Sequence, residues 1–137
     1  MVRVVVVSHG NLAGALLATA EMIAGGHPRA LALELGRDES PEAFRQRLLG
    51  ALHTEDDGEP GGFLLLTDLL GGTPHRVATL LREDLPDPAA CAVVSGVNLA
   101  MVVDALLSCE DAEDAESLAR HVASVGLQQV RDSVERA

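Results

Sequence analysis

From Val2 to Val7 the chain is an apolar run, β-branched throughout and broken only by Arg3. An exposed strand face would alternate apolar with polar residues, so this run fits a strand covered on both faces. Helices on the two sides of a parallel sheet provide such cover. The run ends abruptly in Ser8-His9-Gly10-Asn11, a polar turn.

The rest of the chain repeats this alternation. Leu12 to Ala24 carries Leu12, Leu16, Ala20 and Ile23 at helical spacing, and Gly25-Gly26-His27-Pro28 ends it. Ala30 to Leu35 reads as a second strand. Ser40 as N-cap, Pro41 at the first helical position and Glu42 near the positive helix end open a second helix. Its apolar face is Phe44, Leu48, Ala51 and Leu52, and the acidic, glycine-rich stretch Glu55 to Gly62 follows as a surface loop. Phe63 to Leu66 is a third strand, and Thr67-Asp68-Leu69-Leu70-Gly71-Gly72 is the loop after it. Thr73 as N-cap and Pro74 start a helix to about Leu81, which Asp84 to Pro88 terminates. Cys91 to Val94 is a fourth strand, followed by Ser95-Gly96-Val97-Asn98 and by helices over Leu99 to Leu107 and Asp114 to Val125.

Strands separated by helices are βαβ units. The expectation is one α/β domain over residues 1–137, an open, mainly parallel four-stranded sheet with helices on both faces. Beyond Gly126, the spacing of Leu127, Val130 and Val134 fits a helix, but the segment also fits an edge strand.

Composition narrows the function. There are 21 Asp plus Glu against 10 Arg and no Lys, for a formal net charge of −11. Such a surface repels phosphate backbones and anionic membranes, so neither nucleic acid nor membrane is expected as a partner. Aromatic residues are Phe44 and Phe63 alone, which leaves no stacking platform for bases. Cys91 and Cys109 form no C-x-x-C motif and read as buried thiols in a reducing cytosol. No stretch reaches the roughly 18 apolar residues of a membrane span, and the amino-terminal run is too short for a signal peptide. The cytoplasm is the expected location.

In an open parallel sheet, ligands bind outside the carboxyl ends of the strands. Right-handed crossovers bring Ser8-His9-Gly10-Asn11, Thr67-Asp68 with Gly71-Gly72-Thr73, and Ser95-Gly96-Val97-Asn98 to that one edge. Histidine is a usable nucleophile near neutral pH through the ring nitrogen that lacks a proton. A carboxylate on the other nitrogen selects that tautomer, and Asp68 is the candidate. Gly71 and Gly72 allow close backbone approach, and the helix start at Thr73 adds amides, a dipole and a hydroxyl. This set suits a phosphoryl group, whose transfer needs positioning and charge stabilisation. Each piece also has a plainer reading: His9 as a loop histidine, Asp68 as a turn cap, Gly-Gly-Thr-Pro as a helix start, Asn98 as the N-cap of the next helix. A metal set of His9, Asp68 and His75 matches no standard ligand spacing, so no metal and no cofactor is expected. His27, His53 and His121 read as solvated surface residues.

The blocks Ser8-His9-Gly10, Asp68-Leu69-Leu70-Gly71-Gly72-Thr73-Pro74 and Gly96-Val97-Asn98 with Met101 resemble the IIA component of the mannose family of the bacterial sugar phosphotransferase system. Their order and spacing extend from residue 1 to about 125. The resemblance implies that phosphohistidine on the carrier HPr donates to His9, which passes the group to a histidine of a IIB protein for sugar uptake. It implies Asp68 as the partner of His9 and Gly71, Gly72 and Thr73 as the phosphoryl-binding segment; Ser8, Gly10, Asn11, Ser95, Gly96 and Asn98 are lining candidates from their place on the same sheet edge. It also implies a homodimer that exchanges a carboxyl-terminal edge strand. Leu69-Leu70 departs from the family, which often has an aromatic residue there. A IIB domain follows in many members, so a chain ending at Ala137 is expected to be a free-standing IIA protein. Two alternatives use the same His9: a phosphocarrier that serves dihydroxyacetone kinase, and a regulatory module whose phosphorylation is sensed by a partner.

Overall fold

Strand β1 (Arg3–His9) occupies the middle of the sheet, which is why its valines need cover on both faces. Val7 sits opposite Leu33 of β2 (Leu31–Leu35) on one side and opposite Thr67 of β3 (Phe63–Thr67) on the other, both parallel. Strand β4 (Cys91–Val94) pairs outside β3, also parallel, giving the order β2-β1-β3-β4. The structure, a computed structural model, describes residues 1–53 and 61–134.

Side chains alternate across a strand, so β1 feeds two cores. Val4 and Val6, with Leu64 and Leu66 of β3, pack beneath α1 (Leu12–Ala24), α4 (Leu99–Ser108) and α5 (Ala115–Gln128). Val5 and Val7, with Leu65, pack beneath α2 (Pro41–Leu52) and α3 (Thr73–Glu83), against Phe44, Leu48, Val77 and Leu81. The division follows from right-handed crossovers. The chain steps outward from β1 to β2 through α1, then reverses to β3 and β4 through α2 and α3, which therefore lie on the opposite face. That reversal makes the gap between the carboxyl ends of β1 and β3 the switch point of the sheet.

Local chemistry fixes the helix starts. The Ser40 hydroxyl accepts the Ala43 amide with Pro41 next in line, and the Asp114 carboxylate accepts the Ser117 amide. Caps of this kind are worth about 1 kcal/mol each. A short 3₁₀ turn at Pro88–Ala90 leads into β4.

The α/β reading, with helices on both faces of a four-stranded parallel sheet, matches this architecture. Several details differ. Helix α1 buries Ala13, Leu17 and Ala20, whereas Leu12 and Ile23 are exposed, so its inner stripe is rotated from the one expected. The N-cap of α3 is Gly72 rather than Thr73, which places Pro74 second in the helix. At the carboxyl end α5 continues to Gln128, and residues 130–134 form no strand, so no edge strand occurs there among the described residues. Residues 54–60 of the expected acidic loop lie outside the described residues. Cys91 and Cys109 are both buried and unbonded, and burial pushes the Cys91 thiol up to about 11. No helix among the described residues is long and apolar enough to cross a membrane.

Candidate functional site

His9 is the last residue of β1, and Asp68 is the first residue beyond β3. Adjacent parallel strands therefore bring them together at the switch point. The contact is double. Asp68 Oδ2 accepts the His9 backbone amide at 2.9 Å and the ring Nδ1 at 2.7 Å. Asp68 Oδ1 accepts the Leu69 amide at 2.8 Å, which fixes the rotation of the carboxylate. Partial burial works to raise the Asp68 pKa, but the His9 amide and ring together with the Leu69 amide hold the carboxyl below its usual range. An ionised carboxylate only accepts hydrogen bonds, so the neutral His9 ring is the tautomer with its proton on Nδ1 and its lone pair on Nε2. The Asp68 side chain is 10% exposed and that of His9 is 46% exposed, so the orienting group is shielded while the ring meets solvent.

The α3 N-cap lies against that ring. A Cβ built on Gly72 would meet His9 Cε1 at 2.8 Å, the Leu69 carbonyl oxygen at 3.2 Å and His9 Nε2 at 3.5 Å. Only glycine lets the ring lie this close to the start of α3. Gly71 has φ of 80°, in the left-handed region that suits glycine.

The amides of both glycines are bonded within the turn. The Gly71 amide donates to His75 Nδ1 at 3.1 Å, and the Gly72 amide donates to the Leu69 carbonyl at 2.9 Å. The first amide bonded inside the helix is that of Arg76, to the Gly72 carbonyl. Pro74 has no N–H, which leaves the amides of Thr73 and His75 without an acceptor among the described residues. These two amides, the helix dipole and the Thr73 hydroxyl are the donors available at the start of α3.

The other lining candidates divide. Gly10 is exposed with φ of 52°, and its amide is bonded to the Leu35 carbonyl. Asn11 is exposed, and its side chain makes no cap bond. Ser8 is fully buried, pointing to the opposite face from His9 as strand alternation requires; its hydroxyl accepts the Ala13 amide at 2.7 Å and so secures the start of α1. Ser95 is half-buried and Gly96 exposed, with φ of 75°. Asn98 is structural. Its Oδ1 caps α4 through the Met101 amide, and its Nδ2 donates to the Gly126 carbonyl of α5. Met101 fills the space above Gly126, where a Cβ would come within 2.5 Å of it.

Around the site, Leu69 and Leu70 are exposed apolar residues at the tip of the β3–α3 loop, and Leu12 opens α1 nearby in sequence to His9. Among the described residues, no three His, Cys, Asp or Glu side chains gather as a metal set. The remaining histidines are engaged. His27 pairs with Glu110 and is largely buried, contrary to the expected solvated role; His53 bonds the Leu49 carbonyl at the end of α2; His121 pairs with Asp104.

The family model for EIIA-man, described as PTS system fructose IIA component, matches residues 3–123. The chain belongs to this family. It is similar to the phosphotransferase system component EIIA from Streptococcus agalactiae, with a TM-score of 0.86 and 30% identity, covering 96% of this chain and 97% of that one. It is similar also to the mannose/sorbose specific IIA subunit from Enterococcus faecalis, with a TM-score of 0.81 and 30% identity over 98% of this chain and 96% of that one. The mannose-specific EIIAB component of Escherichia coli (strain K12) is 27% identical over 95% of this chain, which spans 39% of that protein's length. The chain is thus a IIA component of the mannose type, in a family of phosphotransferase components of sugar transport.

Proposed function

We propose that this IIA chain is a cytoplasmic phosphoryl carrier in which His9 Nε2 accepts the group from phospho-HPr and hands it to a histidine of a IIB protein. The observation that carries the reading is the orientation of His9. Asp68 binds Nδ1 at 2.7 Å, and the Cε1–Nε2 edge of the half-exposed ring lies against Gly72 at the start of α3. In the step, the Nε2 lone pair forms a bond to phosphorus while the phosphorus–nitrogen bond of the donor breaks. The electron pair of that bond stays on the donor imidazole. Nδ1 keeps its proton, and the ring gains positive charge that the Asp68 carboxylate stabilises. The Thr73 and His75 amides and the Thr73 hydroxyl receive the phosphoryl oxygens. Transfer between two imidazoles needs neither metal nor nucleotide, and reversal of the same step delivers the group to IIB.

The test is a relay. The chain is labelled with phosphoenolpyruvate, enzyme I and HPr, separated from them and mixed with a mannose-type IIB protein. Label moving to IIB is the expected result; label that enters this chain and moves to no IIB contradicts the carrier role.

The partner set extends to a second copy. β4 is an edge of the sheet, and Val130 and Val134 are exposed beyond α5. A homodimer that covers these residues is proposed, and sedimentation at micromolar concentration as a monomer contradicts it.

A further inference from the structure

We propose that His75 is a positioning residue for phosphoryl transfer: its uncharged ring holds the Gly71 amide on Nδ1 and so keeps Gly72 seated against the His9 imidazole. The inference rests on the carrier reading of His9.

The loop between Asp68 and α3 has little burial to fix it, since Leu69, Leu70 and Gly71 are all exposed. Its last turn is closed by two hydrogen bonds. The Gly72 amide donates to the Leu69 carbonyl at 2.9 Å, and the Gly71 amide donates to His75 Nδ1 at 3.1 Å. The second crosses from the loop to the first turn of the helix, and a side chain makes it. Gly71 is held there at a positive φ of 80°. The next residue, Gly72, is the one whose Cα faces the His9 ring so closely that a Cβ would lie 2.8 Å from Cε1. Loosening Gly71 therefore loosens the wall beside Nε2.

The chemistry of the bond is specific. Nδ1 accepts only while it bears a lone pair, so His75 is neutral with its proton on Nε2. That is the opposite tautomer from His9, whose Nδ1 proton is given to Asp68. The bond also removes the Gly71 amide from the donors open to an anion, which leaves that work to the helix amides.

The test uses the whole chain at pH 8, where an unperturbed imidazole is uncharged. Nitrogen-15 spectra of the unphosphorylated protein are expected to report the Nε2–H tautomer for His75 and the Nδ1–H tautomer for His9. Hydrogen exchange at Gly71 is expected to be slower than at Leu70. His75→Leu should accelerate Gly71 exchange and slow phosphorylation by phospho-HPr roughly three- to tenfold, the worth of one neutral hydrogen bond. His75→Asn, whose Oδ1 supplies an acceptor close to the Nδ1 position, should restore both. An Nδ1–H tautomer at His75, wild-type phosphorylation of the Leu variant, or an Asn variant no better than Leu would overturn the proposal. A wild-type chain that takes no phosphoryl group overturns the carrier reading instead, and the tautomer and exchange measurements on His75 stand apart from that result.

Discussion

One carboxylate oxygen of Asp68 binds His9 twice, at the backbone amide and at ring Nδ1, 2.9 and 2.7 Å away. The backbone bond ties Asp68 to the end of β1, so the ring bond is made to a group that is already anchored. The carrier role proposed for His9 would therefore need no reorganisation of the pair as charge develops on the ring.

Asp68→Asn keeps the size of the side chain but loses the charge. Phosphorylation of that variant is expected to slow about ten- to hundredfold, the range for a hydrogen bond to a charged group. Stopped-flow or quench measurements with phospho-HPr check this, and an unchanged rate would remove Asp68 from the chemistry.

The same substitution has a pH signature in stability. The native Asp68 carboxyl has a lowered pKa, so its contribution is fully present above the unfolded value of about 3.9 and fades as pH falls through the native value. Wild type should therefore exceed Asp68→Asn in denaturant midpoint at pH 7, and the gap should close below about pH 4. A gap independent of pH would contradict the depressed pKa.

Gly72→Val fills the space beside Nε2. Its Cβ would sit 2.8 Å from His9 Cε1, closer than real contacts allow, and a tight 3.2 Å from the Leu69 carbonyl oxygen. The ring must move, and phosphorylation is expected to fall by at least about tenfold, since placement errors near 1 Å are costly in transfer reactions. Circular dichroism separates this from unfolding; normal labelling of a folded Gly72→Val chain counts against the site.

Leu70 is 73% exposed at the tip of the loop that carries Asp68. A large apolar residue exposed two positions beyond Asp68 suits a partner surface rather than the core. Leu70→Asp should leave stability within about 0.5 kcal/mol while raising the HPr concentration needed for half-maximal phosphorylation. Unchanged concentration dependence would exclude Leu70 from docking.

The bonds of Asn98 tie α4 to α5. Asn98→Ala removes the α4 cap and the bond to the Gly126 carbonyl. The expected loss is about 1–2 kcal/mol, or roughly 3–8 °C in Tm, with phosphorylation at 20 °C unchanged. A slowed transfer in a folded variant would return Asn98 to the site.

What the sequence made legible follows from how local each signal is. The valine run of β1 demanded cover on both faces, and chain alternation then brought His9 and Asp68 to one sheet edge. The polar residues were harder. Ser8 and His9 are neighbours in sequence but point to opposite faces, which strand alternation itself could have separated. Asn98 carries the same signal as a cap and as a lining residue, and only its bonds to Met101 and Gly126 decide between them. Glycine permits close backbone approach, but nothing in the sequence tells that the Gly71 and Gly72 amides are both used within the turn. His75 meets Gly71 through the fold of the loop onto the helix start, a contact that no spacing rule announces.

The most direct measurement is the intact mass of the chain after incubation with phosphoenolpyruvate, enzyme I and a cognate HPr, beside His9→Ala treated identically. One acid-labile phosphoryl group on the wild type and none on His9→Ala is the expected result. No added mass on the wild type, or equal phosphorylation of His9→Ala, would contradict His9 as the carrier.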